Sequence, residues 1–113
     1  MHKLNICMII AEIEKVGFQV ITNTEQPFVL SLASQSKFDP IEDDGLCHRL
    51  MIKHEINLKR LIGNDFSYVA SFIDPELGQT ATAYSNNAND AICKAILKKN
   101  LSKEILKKLE KIR

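Results

Sequence analysis

FSYVASFIDPELGQTATAYSNNANDAICKAIL, residues 66–97, switches hydrophobic period partway along, and that switch decides the fold. Phe66, Tyr68 and Phe72 alternate at period two, the spacing of a strand with one buried face. After the loop DPELG (74–78), QTATAYS (79–85) keeps strand composition and reads as the next strand of a meander. From Ala91 the apolar positions move to helical spacing, through Ile92, Ala95 and Ile96. An antiparallel strand pair followed directly by an amphipathic helix implies a sheet with a helix laid across it.

Working back toward the N-terminus, INLKRLI (56–62) and the Gly63-Asn64-Asp65 turn complete a hairpin with the strand from Phe66. DPIEDDGLCHRLMIKH (39–54) predicts a helix, with Asp39 as N-cap, Pro40 at the first helical position and Glu42 at the third. Gly45 inside this run puts an alternative start at Asp44. FQVIT (18–22) and FVLSLA (28–33) read as two strands, with SQSK (34–37) a polar loop. Residues 4–16 predict a helix, because Ile6, Ile9, Ile10, Ile13 and Val16 share a stripe; Gly17 stands where a left-handed C-terminal cap belongs. A strand over Ile6–Ile10 is the alternative, since β-branched residues dominate there.

The C-terminal residues split in two. A single straight helix over 88–113 would swing its apolar stripe by more than about 90° and bury Lys99. A break near Asn100 removes both conflicts, with Asn87 capping the first helix, Asn100 in left-handed geometry and Ser102 capping the second. The expected fold is α+β, an α/β/α sandwich-like arrangement of a mostly antiparallel sheet of about five strands covered by helices, in the order α-ββ-α-βββ-α-α. Residues 1–113 read as one domain, with 101–113 a basic amphipathic helix.

Net charge is +1, unevenly placed. Residues 1–93 hold seven Lys/Arg against twelve Asp/Glu, a net of −5; residues 94–113 hold eight against two, a net of +6. Such a tail either steers a charged partner or lies across its own acidic body. Lys98, Lys99, Lys103, Lys107 and Lys111 are the candidate basic surface, and Ile105, Leu109 and Ile112 form an apolar stripe that needs a cover, from this chain or from a second copy. No arginine-rich or aromatic interleaving accompanies these lysines, so a solvated helix face outranks a nucleic-acid surface. Phe66, Tyr68 and Phe72 are a lower-ranked candidate surface, with a core face as the ordinary reading.

Catalytic patterns are missing from the sequence. The four glycines, at 17, 45, 63 and 78, assemble no phosphate loop or dinucleotide fingerprint. His48 and His54 stand about 120° apart around a helix, a poor metal pair, and His54-Glu55 lacks the second His of a zinc-protease helix. The carboxylates Asp39, Glu42, Asp43 and Asp44 suit a helix N-terminus without any catalytic role. Cys7, Cys47 and Cys93 lie among apolar residues, an odd and widely spaced set that fits reduced buried thiols in a cytoplasmic protein. No signal peptide or membrane-spanning stretch is visible, and no metal or cofactor is expected.

Two runs, GLCHRLMIKHEINLKRLI (45–62) and FSYVASFIDPELGQTATAYSNNANDAICKAILKK (66–99), together resemble the second half of the small phage and prophage proteins of the phage ABA sandwich domain family. Ala91-Ile92-Cys93-Lys94-Ala95-Ile96-Leu97 is similar to the AICRAAL-like start of that family's closing helix. The resemblance implies an α/β/α sandwich and a phage or mobile-element origin, and it carries over no catalytic residue. The functional expectation is a non-enzymatic accessory protein that binds a protein partner, host or self, in the manner of an anti-defence (anti-CRISPR-like) inhibitor. The alternatives are a nucleic-acid-associated module using the basic tail and a domain that sequesters a small ligand or nucleotide.

Overall fold

The computed structural model describes residues 2–74 and 78–100. The elements run α1 (Lys3–Ile13), β1 (Phe18–Ile21), β2 (Phe28–Ser31), β3 (Ser36–Lys37), α2 (Asp44–Lys53), β4 (Asn57–Arg60), β5 (Tyr68–Ile73), β6 (Thr80–Ser85) and α3 (Ala88–Asn100). The strands form two antiparallel three-stranded sheets, β1-β2-β3 and β4-β5-β6. The α+β class and the antiparallel pairing agree with the sequence reading, which counted fewer strands and placed them in one sheet. The additional strand is β3, formed where a polar loop was expected: Leu32–Gln35 turn back, Gln35 takes φ +55°, and Ser36 and Lys37 pair with Ser31 and Leu30.

The period-two pattern of residues 66–85 sorts the faces of the second sheet. In register, Phe72 lies opposite Ala81, Ala70 opposite Ala83 and Tyr68 opposite Ser85. These pairs point inward, and Ala70, Phe72, Ala83 and Ser85 are buried. Alanines on that face leave room for α3 to pack closely across β5 and β6, with Ala91, Ile92, Ala95 and Ile96 toward the core. α1 and α2 pack on α3, and β2 packs on α1. The second layer of helices thus lies beyond α3, away from the outer face of β4-β5-β6.

Three local expectations need correction. Asp39 does not start a helix: its carboxylate accepts from Ile41 N (3.2 Å) and Glu42 N (3.1 Å), closing a single turn that ends at Asp43 N on Asp39 O (2.8 Å). Asp43 then caps α2 by accepting from Leu46 N at 3.1 Å, which realises the alternative start at Asp44. Gly17 is not the left-handed cap of α1; Lys15 is, with φ +57°, because the helix stops at Ile13 and its closing bonds, Lys15 N to Glu12 O and Val16 N to Ala11 O, form two residues earlier. Asn100 belongs to the last turn of α3 and is not among the described residues with positive φ. The Asn87 cap is as expected, accepting from Asp90 N at 2.9 Å.

α2 ends in the same way as α1. Glu55 has φ +57°, with Glu55 N on Ile52 O and Ile56 N on Met51 O. Both helices therefore close on a left-handed residue that carries a Cβ, followed by an apolar residue, Val16 or Ile56. Lys15→Gly and Glu55→Gly should each raise unfolding free energy by up to about 1 kcal/mol, since glycine adopts this geometry without steric cost. Urea unfolding of the two variants checks this, and the helix content should stay unchanged.

Candidate interaction surface

The same alternation that buries one side of β5 and β6 leaves the other side of the sheet open. Asn57 and Lys59 of β4, Val69, Ser71 and Ile73 of β5, and Thr80, Thr82 and Tyr84 of β6 form this outer face. Ile73 keeps 70% of its surface exposed and Tyr84 48%. Phe66, just before β5, is 46% exposed and packs its ring on Tyr84, with centroids 6.1 Å apart and planes tilted by 37°. Ser67 fixes that approach by donating its N–H to Asn86 Oδ1 at 3.0 Å. The face thus carries an aromatic end at Phe66, Tyr84 and Val69 and an exposed Ile73 at the other end, with Ser71 and Thr82 between them.

The structure separates the lower-ranked aromatic trio. Phe72 is buried in the core and Tyr68 is half-buried facing α3; Phe66 alone lies with the open face. Sequence reasoning missed Tyr84 as Phe66's companion. The clue was its place in the alternation of QTATAYS, out of phase with Ala81 and Ala83.

Of the candidate lysines, two lie among the described residues and each holds a backbone carbonyl. Lys98 Nζ donates to Thr82 O at 2.7 Å, and Lys99 Nζ donates to His54 O. Lys103, Lys107 and Lys111, with Ile105, Leu109 and Ile112, lie outside the described residues.

A second feature is a cleft of about 410 Å³ at the start of α1, lined in part by Lys3, Leu4, Phe28, Val29, Lys37 and Asp39. Lys3 is engaged by Asp39 (3.0 Å) and Glu42 (2.9 Å), and these contacts outweigh the burial that disfavours its charge, holding the ammonium above its usual pKa. Lys37 sits 4.7 Å over the Phe28 ring. Cys7, at the base, donates to Asp39 Oδ1 at 3.6 Å; burial, then the neighbouring carboxylate, pushes its thiol up to about 12. Such a thiol is a poor nucleophile at neutral pH. Cys93 is raised as well, by its hydrogen-bonded neighbour Cys47 and by burial. All three thiols are free and buried. Among the described residues no cluster of three or more His, Cys, Asp or Glu is placed to hold a metal ion, and no helix is long and apolar enough to cross a membrane.

The helix C-termini meet at a third polar site. Glu14 accepts from Lys53 at 2.7 Å and pairs with His54 Nε2 at 2.8 Å; its side chain is only 10% exposed. Burial acts to raise the Glu14 carboxyl, but the bonds from Lys53 and His54 outweigh it and leave the group below its usual range. His54 also meets Asn100 Nδ2 through Nδ1, at 3.4 Å. The site joins α1, α2 and α3, and it reads as a structural tie.

No family model matches this sequence, and no curated protein does. A crystal structure of a phage protein from Bacillus cereus ATCC 14579 superposes with a TM-score of 0.64 at 17% identity, covering 88% of this chain and 92% of that one. The two share a fold. At this identity the likeness speaks for architecture alone.

Because the Glu14 carboxyl is depressed in the folded state, its contribution is fully present above the unfolded pKa of about 4.3 and is lost as pH falls through the lower folded value. Glu14→Gln should therefore cost roughly 1.5–3 kcal/mol near pH 7, the range for hydrogen bonds to a charged group. The gap to the parent should narrow on acidification below about pH 4. Chemical denaturation across pH measures both.

Proposed function

We propose that this chain is a small non-enzymatic accessory protein of the phage type, acting by binding another protein through the outer face of β4-β5-β6. The observation that carries the reading is the exposed Phe66–Tyr84 pair with Ile73 on a sheet whose other face is buried under α3. Tyrosine and phenylalanine presented on a rigid sheet give large contact area at little conformational cost, the usual composition of an interface centre. The shared fold with a phage protein supports the class. A host protein is the expected partner, with inhibition of a defence component as the finer reading.

Tyr84→Asp places a charge beside Phe66 at the aromatic end of this face while leaving the core untouched. The expected result is capture of a defined bacterial protein by the parent, loss of at least about tenfold in affinity for the variant, and a melting temperature within about 2 °C of the parent. Capture that ignores the substitution, or none from any host lysate, would sink the reading.

The cleft beside α1 favours a second reading, sequestration of a small ligand. Its volume of about 410 Å³ falls within the range of ligand pockets, and Lys37 over Phe28 offers a cation beside an aromatic ring. A thermal-shift screen with mononucleotides should then raise the melting temperature in the parent and not in Lys37→Glu. A flat response across the screen discards it.

A further inference from the structure

Each of the two sheets ends in two edge strands, and the four edges are not equally protected. Printed on the backbone is which groups face outward. Leu32 N donates to Gly17 O at 2.9 Å, and Phe38 N donates to Val29 O at 2.8 Å. Donors and acceptors alternate along a strand, so Gly17, Gln19 and Ile21 turn toward β2, while Phe18 and Val20 turn their N–H and C=O groups away from it. No described element pairs with that side of β1.

The other edges carry guards. On β4 the outward residues are Leu58 and Arg60, the phase being set by Leu61 N on Ser67 O at 2.7 Å. Lys59 stands between them, so a symmetric pairing there would oppose two like charges. On β6 the outward carbonyl of Thr82 is occupied by Lys98 Nζ at 2.7 Å. β3 is two residues long. β1 and its continuation, Phe18-Gln19-Val20-Ile21-Thr22, contain no charge and no proline, and unguarded edges of this kind are templates for strand addition.

We propose that β1 pairs antiparallel with β1 of a second copy, about a two-fold axis at Gln19, joining two three-stranded sheets into one of six strands. With the axis at Gln19, Phe18 of one protomer lies opposite Val20 of the other. Those are the residues whose backbone groups face outward, so each Phe18–Val20 pair exchanges both of its hydrogen bonds. Their side chains fall on one face as an aromatic and β-branched cross-strand pair, a favourable combination. Phe18 and Val20 are half-buried in the single chain, which leaves them area to bury. Gln19 meets Gln19 on the opposite face, where it is exposed, and no like charges are brought together along β1. The pairing is isologous, so it closes at two copies and does not propagate.

Gln19 supplies a test that leaves the fold alone, because its side chain is exposed. Gln19→Lys and Gln19→Glu each place like charges face to face at the axis, while an equimolar mixture places opposite charges there. Light scattering on the full chain over a concentration series should show the parent approaching twice 12.8 kDa, each variant near 12.8 kDa, and the mixture returning to twice that mass. Hydrogen exchange should show the Phe18 and Val20 amides slowed in the parent and fast in Gln19→Lys. A parent that stays at single mass overturns the proposal. So does a dimer that persists in Gln19→Lys, since it must use another surface, and so does a mixture that fails to restore the mass.

Discussion

The buried face of α3 is the constraint on which the rest of the molecule depends. Ala91, Ile92, Cys93, Ala95, Ile96 and Leu97 are all buried, a stretch wider than one stripe, because α3 is covered on two sides. β5 and β6 pack on one of them, and α1 and α2 on the other. Small residues are buried on both partners where α3 crosses the sheet, Ala91 and Ala95 on the helix and Ala70 and Ala83 on β5 and β6, and Ile92 and Ile96 are buried with them. A helix clad on two sides cannot be shifted without opening both contacts, so it fixes the relative placement of the other elements.

Polar contacts tie the same helix at both ends. At its start Ser85 Oγ donates to Asp90 Oδ2 at 2.7 Å, and Asn89 Nδ2 reaches Ile41 O at 2.9 Å and Asp44 Oδ1 at 2.7 Å, linking β6 and the entry to α2. At its end Lys99 and Asn100 meet His54, which in turn holds Glu14. Asp39 and Asp43 accept from backbone N–H groups and the His54 ring meets Glu14 and Asn100, while Lys98 and Lys99 donate to backbone carbonyls. Of the buried thiols, Cys7 and Cys93 are held in protonated form, Cys7 by burial and Cys93 by its hydrogen-bonded neighbour Cys47 and by burial.

Two surfaces stand open among the described residues, and they arise from the same strand geometry. Strands covered on one face must present the other, which gives the Phe66–Tyr84 face; sheets of three strands must have edges, which gives β1. The two lie on different sheets, so occupation of one leaves the other free. An assembly through β1 would then present two copies of the open face, and paired sites gain avidity where a partner can reach both.

Much of this was legible from periodicity. The change from period two to period 3.6 near residue 86 located β5, β6 and α3, and the Asn87 cap followed from local chemistry. The phase of residues 68–72 foretold that Tyr68 and Phe72 face the core, because side-chain direction along a strand is fixed by the backbone. Beyond local order, pattern ran out. Whether six strands form one sheet or two depends on which helix stands between them, a long-range contact that no window of sequence contains. The left-handed closures of α1 and α2 fall on Lys15 and Glu55, residues whose type gives no such signal in the sequence. Lys98 and Lys99 looked like a basic surface because sequence shows charge and not the carbonyl it meets. The sequence by itself determined which residues must hide from water and at what spacing; only the tertiary structure decided what they hide against, and so which faces and edges were left over.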